Sequence, residues 1–498
     1  MSYSKKVLSA TFFNFVSKVL VTCLGMFSTL ILARLLTPND FGLVATASLV
    51  TSFFELLSRL GTEQYLIKTQ DLDDDDINTA WTFQLITKIL ISLLIFSFST
   101  NAASFFNEPE LEDVLKVLSL IPLIIGLSNI GIILAKKSME FKEIMKLEVI
   151  VKIFSFIATV VLAFLIKNYW AFVFGNLVNF IAYSVLTYKF FSYRPRFSLS
   201  CLSKQISFSQ WTFLKGIVNY TSGKVDQIFI TKFLGVIELG AFSVSQRIAE
   251  IPRVLFLFPI KDSVFPALGQ LVNDKEEFKE KVHKTLFISI FISLPISMLL
   301  ILSASSLVEL LLGSADKWHL ATMILPYFSL LIVILNFNDF SFGVLTLLGE
   351  VKCLFKIEIF STLISIVTYF LGLKFYGLIG VVVAKLLVDT MVSFILLFVL
   401  KSSIGFSIRR LIVSYIPVVA CNLMAFLLCL YIRNNVSLSH FDFFNVVFIS
   451  FVYVIALIFL VIVVMLIYNN DGDWKIIKNT CYSLTSIFIG KISKVKVQ

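Results

Sequence analysis

Glu55, Arg59 and Glu63 recur every fourth residue, and Arg247, Glu250 and Arg253 every third. On helices these spacings place each trio in one stripe, acid-base-acid in the first and base-acid-base in the second. Lys18, Lys215, Lys224, Asp226 and Lys261 lie in equally apolar surroundings, as do Asp339, Lys385 and Asp389. A charge near a bilayer centre costs about 2.5–3.5 kcal/mol on insertion scales, so each needs a partner, a polar cavity or a function. The chemistry such groups offer is binding of an anion, ion pairing that opens and closes, and uptake of a coupling cation. None of them has the spacing of a catalytic constellation.

The charges are concentrated in a repeat. ILARLLTPNDFGLV from Ile31 returns in degenerate form as FITKFLGVIELGAF from Phe229, pairing Arg34 with Lys232, Leu36 with Leu234, Asp40 with Glu238 and Gly42 with Gly240. The offset is about 198 residues, and each copy reads as an apolar helix, a short turn closing on acid-apolar-Gly, and a second helix. Under that offset Glu55 falls on Arg253 and Glu63 on Lys261. Complementary pairs at these positions would form a gate near the cytoplasmic side; the alternative is that each stripe is satisfied within its own helix. Lys18 and Lys215, at equivalent depths, either face a common cavity or snorkel to the interface, and the same two readings apply to Arg34 and Lys232.

The elements that hold these residues are membrane helices. The 498 residues are 58% hydrophobic and 15% charged, with a mean hydropathy of +0.92. That is far above a soluble domain. Stretches such as Leu147 to Ile166, Val381 to Leu400 and Val446 to Tyr468 are long enough to span a bilayer and lack strand-like alternation. The pattern predicts about fourteen helices, with helix two over 41–67, helix seven over 208–234, helix eight over 241–271, and helices eleven and twelve over 357–373 and 376–400. Pro252, Pro259 and Pro266 predict that helix eight is bent. Trp81, Trp170, Trp211 and Trp318 are expected at interfacial helix starts.

Basic clusters occupy every second connection, which places both termini in the cytoplasm. The net charge of +10 is then a topological signal, with contact to membrane lipid, and not a sign of nucleic acid. The first apolar segment is too long for a cleaved signal and is expected to stay as helix one. The hydrophilic connections are too short for a soluble catalytic domain and hold no phosphate loop, so the sequence argues against an enzyme. His283, His319 and His440 read as solvated loop residues, the aspartates from Asp71 to Asp76 as a solvated loop, and no metal site or disulfide is expected. Lys385 and Asp389, at i and i+4, are expected to neutralise each other, while Asp339 has no evident partner nearby and is a candidate for the lining.

SKVL at Ser17, LARLLTPNDFGLVA from Leu32 and KVDQIFITKFLGVIELGAFSVSQRI from Lys224 resemble the polysaccharide-transporter branch of the multidrug/oligosaccharidyl-lipid/polysaccharide flippase superfamily. The resemblance implies an all-α, MATE-like membrane fold with two pseudo-symmetric six-helix lobes, over 1–200 and 201–405. Two further helices over 406–470 and a cytoplasmic tail over 471–498 complete the expected layout. It implies a flippase in a bacterial inner membrane that exports undecaprenyl-pyrophosphate-linked oligosaccharide repeat units by alternating access, for O-antigen, capsule or exopolysaccharide. Other polysaccharide-assembly membrane proteins are expected partners. On motif position the essential basic residues of related flippases correspond to Lys18, Arg59 and Arg253, which with Lys215, Lys224 and Arg247 form the expected pyrophosphate cavity. Coupling to Na+ or H+ would use Asp226, Asp389 and Asp339, with no other cofactor, although helix eleven has only Glu358 near its edge. The alternative is a cation-coupled multidrug or metabolite exporter of the same fold, which would favour an acidic, aromatic pocket.

Overall fold

The computed structural model describes residues 3–58, 62–207, 210–435 and 442–467, and among them every regular element is helical. In chain order these are α1 (Tyr3–Leu35), α2 (Pro38–Leu56), α3 (Thr62–Lys68), α4 (Asp74–Phe106), α5 (Glu110–Leu118), α6 (Leu120–Gly126), α7 (Gly131–Lys137), α8 (Phe141–Ile166), α9 (Trp170–Phe190) and α10 (Leu202–Ser207). There follow α11 (Gln210–Phe233), α12 (Val236–Pro252), a π-helical turn (Arg253–Leu257), α13 (Phe258–Gln270), α14 (Lys275–Leu302), α15 (Ala304–Leu312), α16 (His319–Leu347), α17 (Val351–Ile404), α18 (Ile408–Asn435) and α19 (Asp442–Ile467).

Among the described residues nine helices are long and apolar enough to cross a membrane, or ten if the bent α5–α7 segment is one span. Large apolar side chains such as Leu165, Val185, Leu363, Phe394 and Phe459 point outward, as they must where lipid is the solvent. The chain is a multi-pass membrane protein. The repeated charges are carried by α2, α11 and α12.

The helices group into two compact units. One comprises 1–251 with 311–324 and 358–385, the other 252–310 with 325–357 and 386–498. In the first, Leu43, Ala47 and Phe54 of α2 pack with Ile91 and Ile95 of α4 and Val114 of α5. In the second, Leu286 of α14, Val344 of α16 and Leu396 of α17 form the corresponding centre.

Local sequence accounts for the helix boundaries. Thr37, with Pro38 in the first turn, caps α2: its amide donates to the Asp40 carboxylate at 2.8 Å, and the Asp40 amide returns a bond to the Thr37 hydroxyl at 3.3 Å. That is a capping box with Asp in the third position. The second carboxylate oxygen of Asp40 accepts from the Tyr169 amide at 3.0 Å, fixing the entry of α9. α17 breaks at Gly377 (φ 57, ψ −135), a conformation open to glycine alone, where the sequence separates helices eleven and twelve.

Three expectations are corrected. Helix two does not run to residue 67: α2 ends at Leu56, where the Ser58 amide and hydroxyl both donate to the Glu55 carbonyl, and Glu63 starts a separate helix. His283 is buried on α14, stacked on Phe406 with ring centroids 3.7 Å apart, and accepts from the Ser407 amide at 3.2 Å. Asp76 is likewise buried and accepts from the Tyr65 hydroxyl at 3.1 Å, so the acidic run is not wholly a solvated loop. Trp81, near the start of α4, and Trp318, just before α16, lie at helix starts as expected and are packed within the protein, their indole N–H groups donating to the carbonyls of Ser128 and Ala33.

Candidate functional site

The two repeated turns meet inside the first unit. Gly42 on α2 and Gly240 on α12 pack so closely that a Cβ on Gly42 would lie 1.6 Å from the Val236 carbonyl oxygen, and one on Gly240 1.9 Å from that of Pro38. The acid-apolar-Gly motif thus has a cause: the acid lies in the helix's first turn and the glycine admits the opposing backbone. With the two helix starts in contact, α1, α2, α11 and α12, together with α8 and α9, enclose a cavity of about 420 Å³.

Lys152 of α8, Lys224 of α11 and Arg247 of α12 line this cavity, with Glu250 as the acid on its wall. Arg247 donates to the Thr29 hydroxyl at 3.1 Å, and Thr29 in turn donates to the Gly25 carbonyl at 3.0 Å. Lys224 donates to the Gln227 side-chain carbonyl at 3.2 Å. Among the described residues none of these three cations forms an ion pair. Ser28, Ser48 and Asn176 add neutral donors and acceptors, and Phe41 and Phe172 add ring faces. Such a wall binds an anion with hydrogen-bonding oxygens.

Several other charges are paired within the protein. Lys385 donates to Asp226 at 2.8 Å, with side-chain exposures of 16% and 3%, and the other oxygen of Asp226 accepts from the Gln227 amide at 2.8 Å. Lys385 thus has a partner that the spacing to Asp389 does not suggest, and the Asp389 backbone carbonyl accepts from Asn338 at 3.0 Å. Asp339 is not without a partner either, since Arg253 binds it at 2.7 Å and Lys261 lies 3.6 Å away. Glu63 receives Lys136 at 2.7 Å. Glu55 is half-buried on the last turn of α2.

The stripe Arg247, Glu250, Arg253 is also divided. Pro252 ends α12 and the π turn follows, closed by the Phe258 amide on the Arg253 carbonyl; Arg247 and Glu250 face the cavity while Arg253 turns to Asp339. Arg34 and Lys232 bind backbone carbonyls, of Leu311 at 3.4 Å and of Phe105, which matches anchoring and not the cavity. Lys18 lines a second cavity, of about 610 Å³, between α1, α8 and α9. Arg59, His440 and the tail 471–498 lie outside the described residues, as does the side chain of Lys215.

Lys152 escaped the sequence reading. The signal was available: Lys152 is the last of the three lysines of α8, flanked by Val151 and Ile153 and at i+4 from Glu148.

Known proteins fit this arrangement. Over 423 residues the chain is 26% identical to the lipopolysaccharide biosynthesis protein WzxC of Escherichia coli (strain K12), covering 83% of this chain and 85% of the relative. Its fold is that of the lipid II flippase MurJ, solved in an inward closed conformation: TM-score 0.76 at 14% identity, covering 93% of this chain and 100% of the other. A Vibrio cholerae MATE transporter, VcmN, superposes with a TM-score of 0.52 at 12% identity over 80% of this chain and 97% of its own. The sequence model of the polysaccharide biosynthesis protein family matches residues 31–323, and the chain belongs to that family.

Proposed function

We propose that the protein is a flippase that moves lipid-linked oligosaccharide repeat units, carried on undecaprenyl pyrophosphate, across a bacterial inner membrane for surface polysaccharide synthesis. One observation carries the reading: three cations without ion-pair partners among the described residues converge on one cavity in the membrane domain, whereas the other basic residues that the structure pairs are neutralised. At about 2.5–3.5 kcal/mol each, such charges require an anion that visits. A pyrophosphate supplies it, while the polyprenyl tail stays in lipid. The names of the relatives, a lipopolysaccharide biosynthesis protein and a lipid II flippase, support the substrate class. A cation exporter would need an acidic cavity, and here Glu250 stands against three bases.

In this reading the head group passes by alternating access of lobes over 1–200 and 201–405, with both termini cytoplasmic. A gate through Glu55–Arg253 and Glu63–Lys261 is part of this reading, and it competes with the pairs that Glu63 makes with Lys136 and that Arg253 and Lys261 make with Asp339. A coupling Na+ or H+ must displace Lys385 to reach Asp226, or Arg253 and Lys261 to reach Asp339. Deletion in the source organism with leaflet-resolved labelling of lipid-linked glycans tests the function. Accumulation on the inner leaflet is expected; unchanged glycan display with altered drug sensitivity contradicts it.

A further inference from the structure

The second cavity of the first unit is built from the same three helices as the cationic one. α1 contributes Lys18 and Thr22 to it, then Gly25 and Thr29 to the cationic cavity; α8 contributes Glu148, then Ser155 and Thr159; α9 contributes Tyr183 and Asn179, then Asn176 and Phe172. The order is the same along all three helices, with α9 antiparallel. The two cavities are therefore stacked along one face, Lys18 and Thr29 lying roughly 15 Å apart at 1.5 Å per residue. Lys152 lines both.

Their chemistry differs. The second cavity sets a carboxylate, Glu148, with two lysines, Lys18 and Lys152, among the amides of Asn14 and Asn179 and the hydroxyls of Thr22 and Tyr183, with the Phe180 ring beside them. Ser17 donates to one oxygen of Glu148 at 2.5 Å, which fixes the carboxylate and leaves its other oxygen as an acceptor. Asn179 and Tyr183, at i and i+4, share one face of α9, as Glu148 and Lys152 share one of α8. One carboxylate against two lysines leaves this lining less cationic than the first, where Glu250 stands against three bases, so it holds a diphosphate less strongly, and an apolar tail gains nothing from amides. A polyhydroxylated ring suits this set, because its hydroxyls donate to the carboxylate, exchange bonds with amides and present a C–H face to an aromatic ring. The volume of about 610 Å³ lies within the range of small-molecule sites.

We infer that this cavity is a saccharide subsite, one step along α1, α8 and α9 from the cationic cavity, with Lys152 as the group common to both. The inference rests on the flippase reading and adds where the glycan sits. The test uses the purified full-length protein in lipid nanodiscs and two probes. One is undecaprenyl pyrophosphate; the other is the lipid-linked oligosaccharide extracted from cells of the source organism that lack the protein. Glu148→Gln and Asn179→Ala are expected to weaken binding of the oligosaccharide lipid about tenfold, the loss of one or two hydrogen bonds. Both should leave undecaprenyl pyrophosphate within about twofold, which also shows that the variants fold. Arg247→Gln is expected to weaken both probes. Equal weakening of both probes by the Glu148 and Asn179 variants, or no effect on either, overturns the subsite alone. Failure of the parent protein to bind either probe, or an Arg247→Gln variant that binds both normally, overturns the flippase reading and the subsite with it.

Discussion

Gly42 and Gly240, equivalent positions of a repeat about 198 residues apart, are in contact with each other's helices: the backbone of α12 passes where a Cβ of Gly42 would be, and the backbone of α2 where that of Gly240 would be. The contact joins the starts of the two helices whose later turns carry Ser48, Arg247 and Glu250 to the cavity.

Gly42→Ala and Gly240→Ala should therefore each destabilise the protein by about 3 kcal/mol, the upper range of overpacking, because rigid carbonyl groups block the added methyl. Gly25→Ala is the control. Its Cβ would stand 3.6 Å from the end of the Lys152 side chain, an ordinary contact, so stability should change little. Thermal unfolding of the three purified variants checks the order.

The Lys385–Asp226 pair is buried enough for its two halves to depend on each other. Removing one charge strands the other, so Lys385→Met should cost about 3–5 kcal/mol, and Asp226→Asn combined with Lys385→Met should recover most of it. A double-mutant cycle on unfolding free energies measures the coupling. Additive single effects would show that the pair does not act as one.

At Asp339 the arithmetic is asymmetric. One carboxylate serves both Arg253 and Lys261. Asp339→Asn leaves two cations without it and should destabilise by about 3 kcal/mol, whereas Arg253→Gln leaves Lys261 to neutralise the acid and should cost less than half as much. Comparing the melting temperatures of the two variants decides the matter.

Much of this was legible in the sequence. The repeat, its glycines and the break between helices eleven and twelve follow from local residue types, and the structure places them where the spacing does; a π turn follows Pro252. Partner choice was not legible, because it is made across the fold. Lys385 has Asp389 one turn away yet binds Asp226, 159 residues distant, and Asp339 finds Arg253 86 residues away. The stripe through Glu55, Arg59 and Glu63 assumed one continuous helix, and the turn at Leu57 and Ser58 divides it. Lys152 was hidden by its own surroundings: the last of the three lysines of α8, set between Val151 and Ile153, is easily passed over, although its cost in lipid marks it for function.

The central claim is that Lys152, Lys224 and Arg247 together hold the anionic head group of a lipid-linked glycan during its passage. Complementing a deletion strain with Lys152→Gln, Lys224→Gln and Arg247→Gln variants, singly and together, and labelling lipid-linked glycans in each leaflet tests it most directly. Each charge-assisted hydrogen bond is worth about 1.5–3 kcal/mol, so single changes should lower the rate of outer-leaflet appearance about tenfold or more. The triple variant, present in the membrane at normal level, should leave the glycan on the inner leaflet. Export by the triple variant at the parent rate would contradict the account.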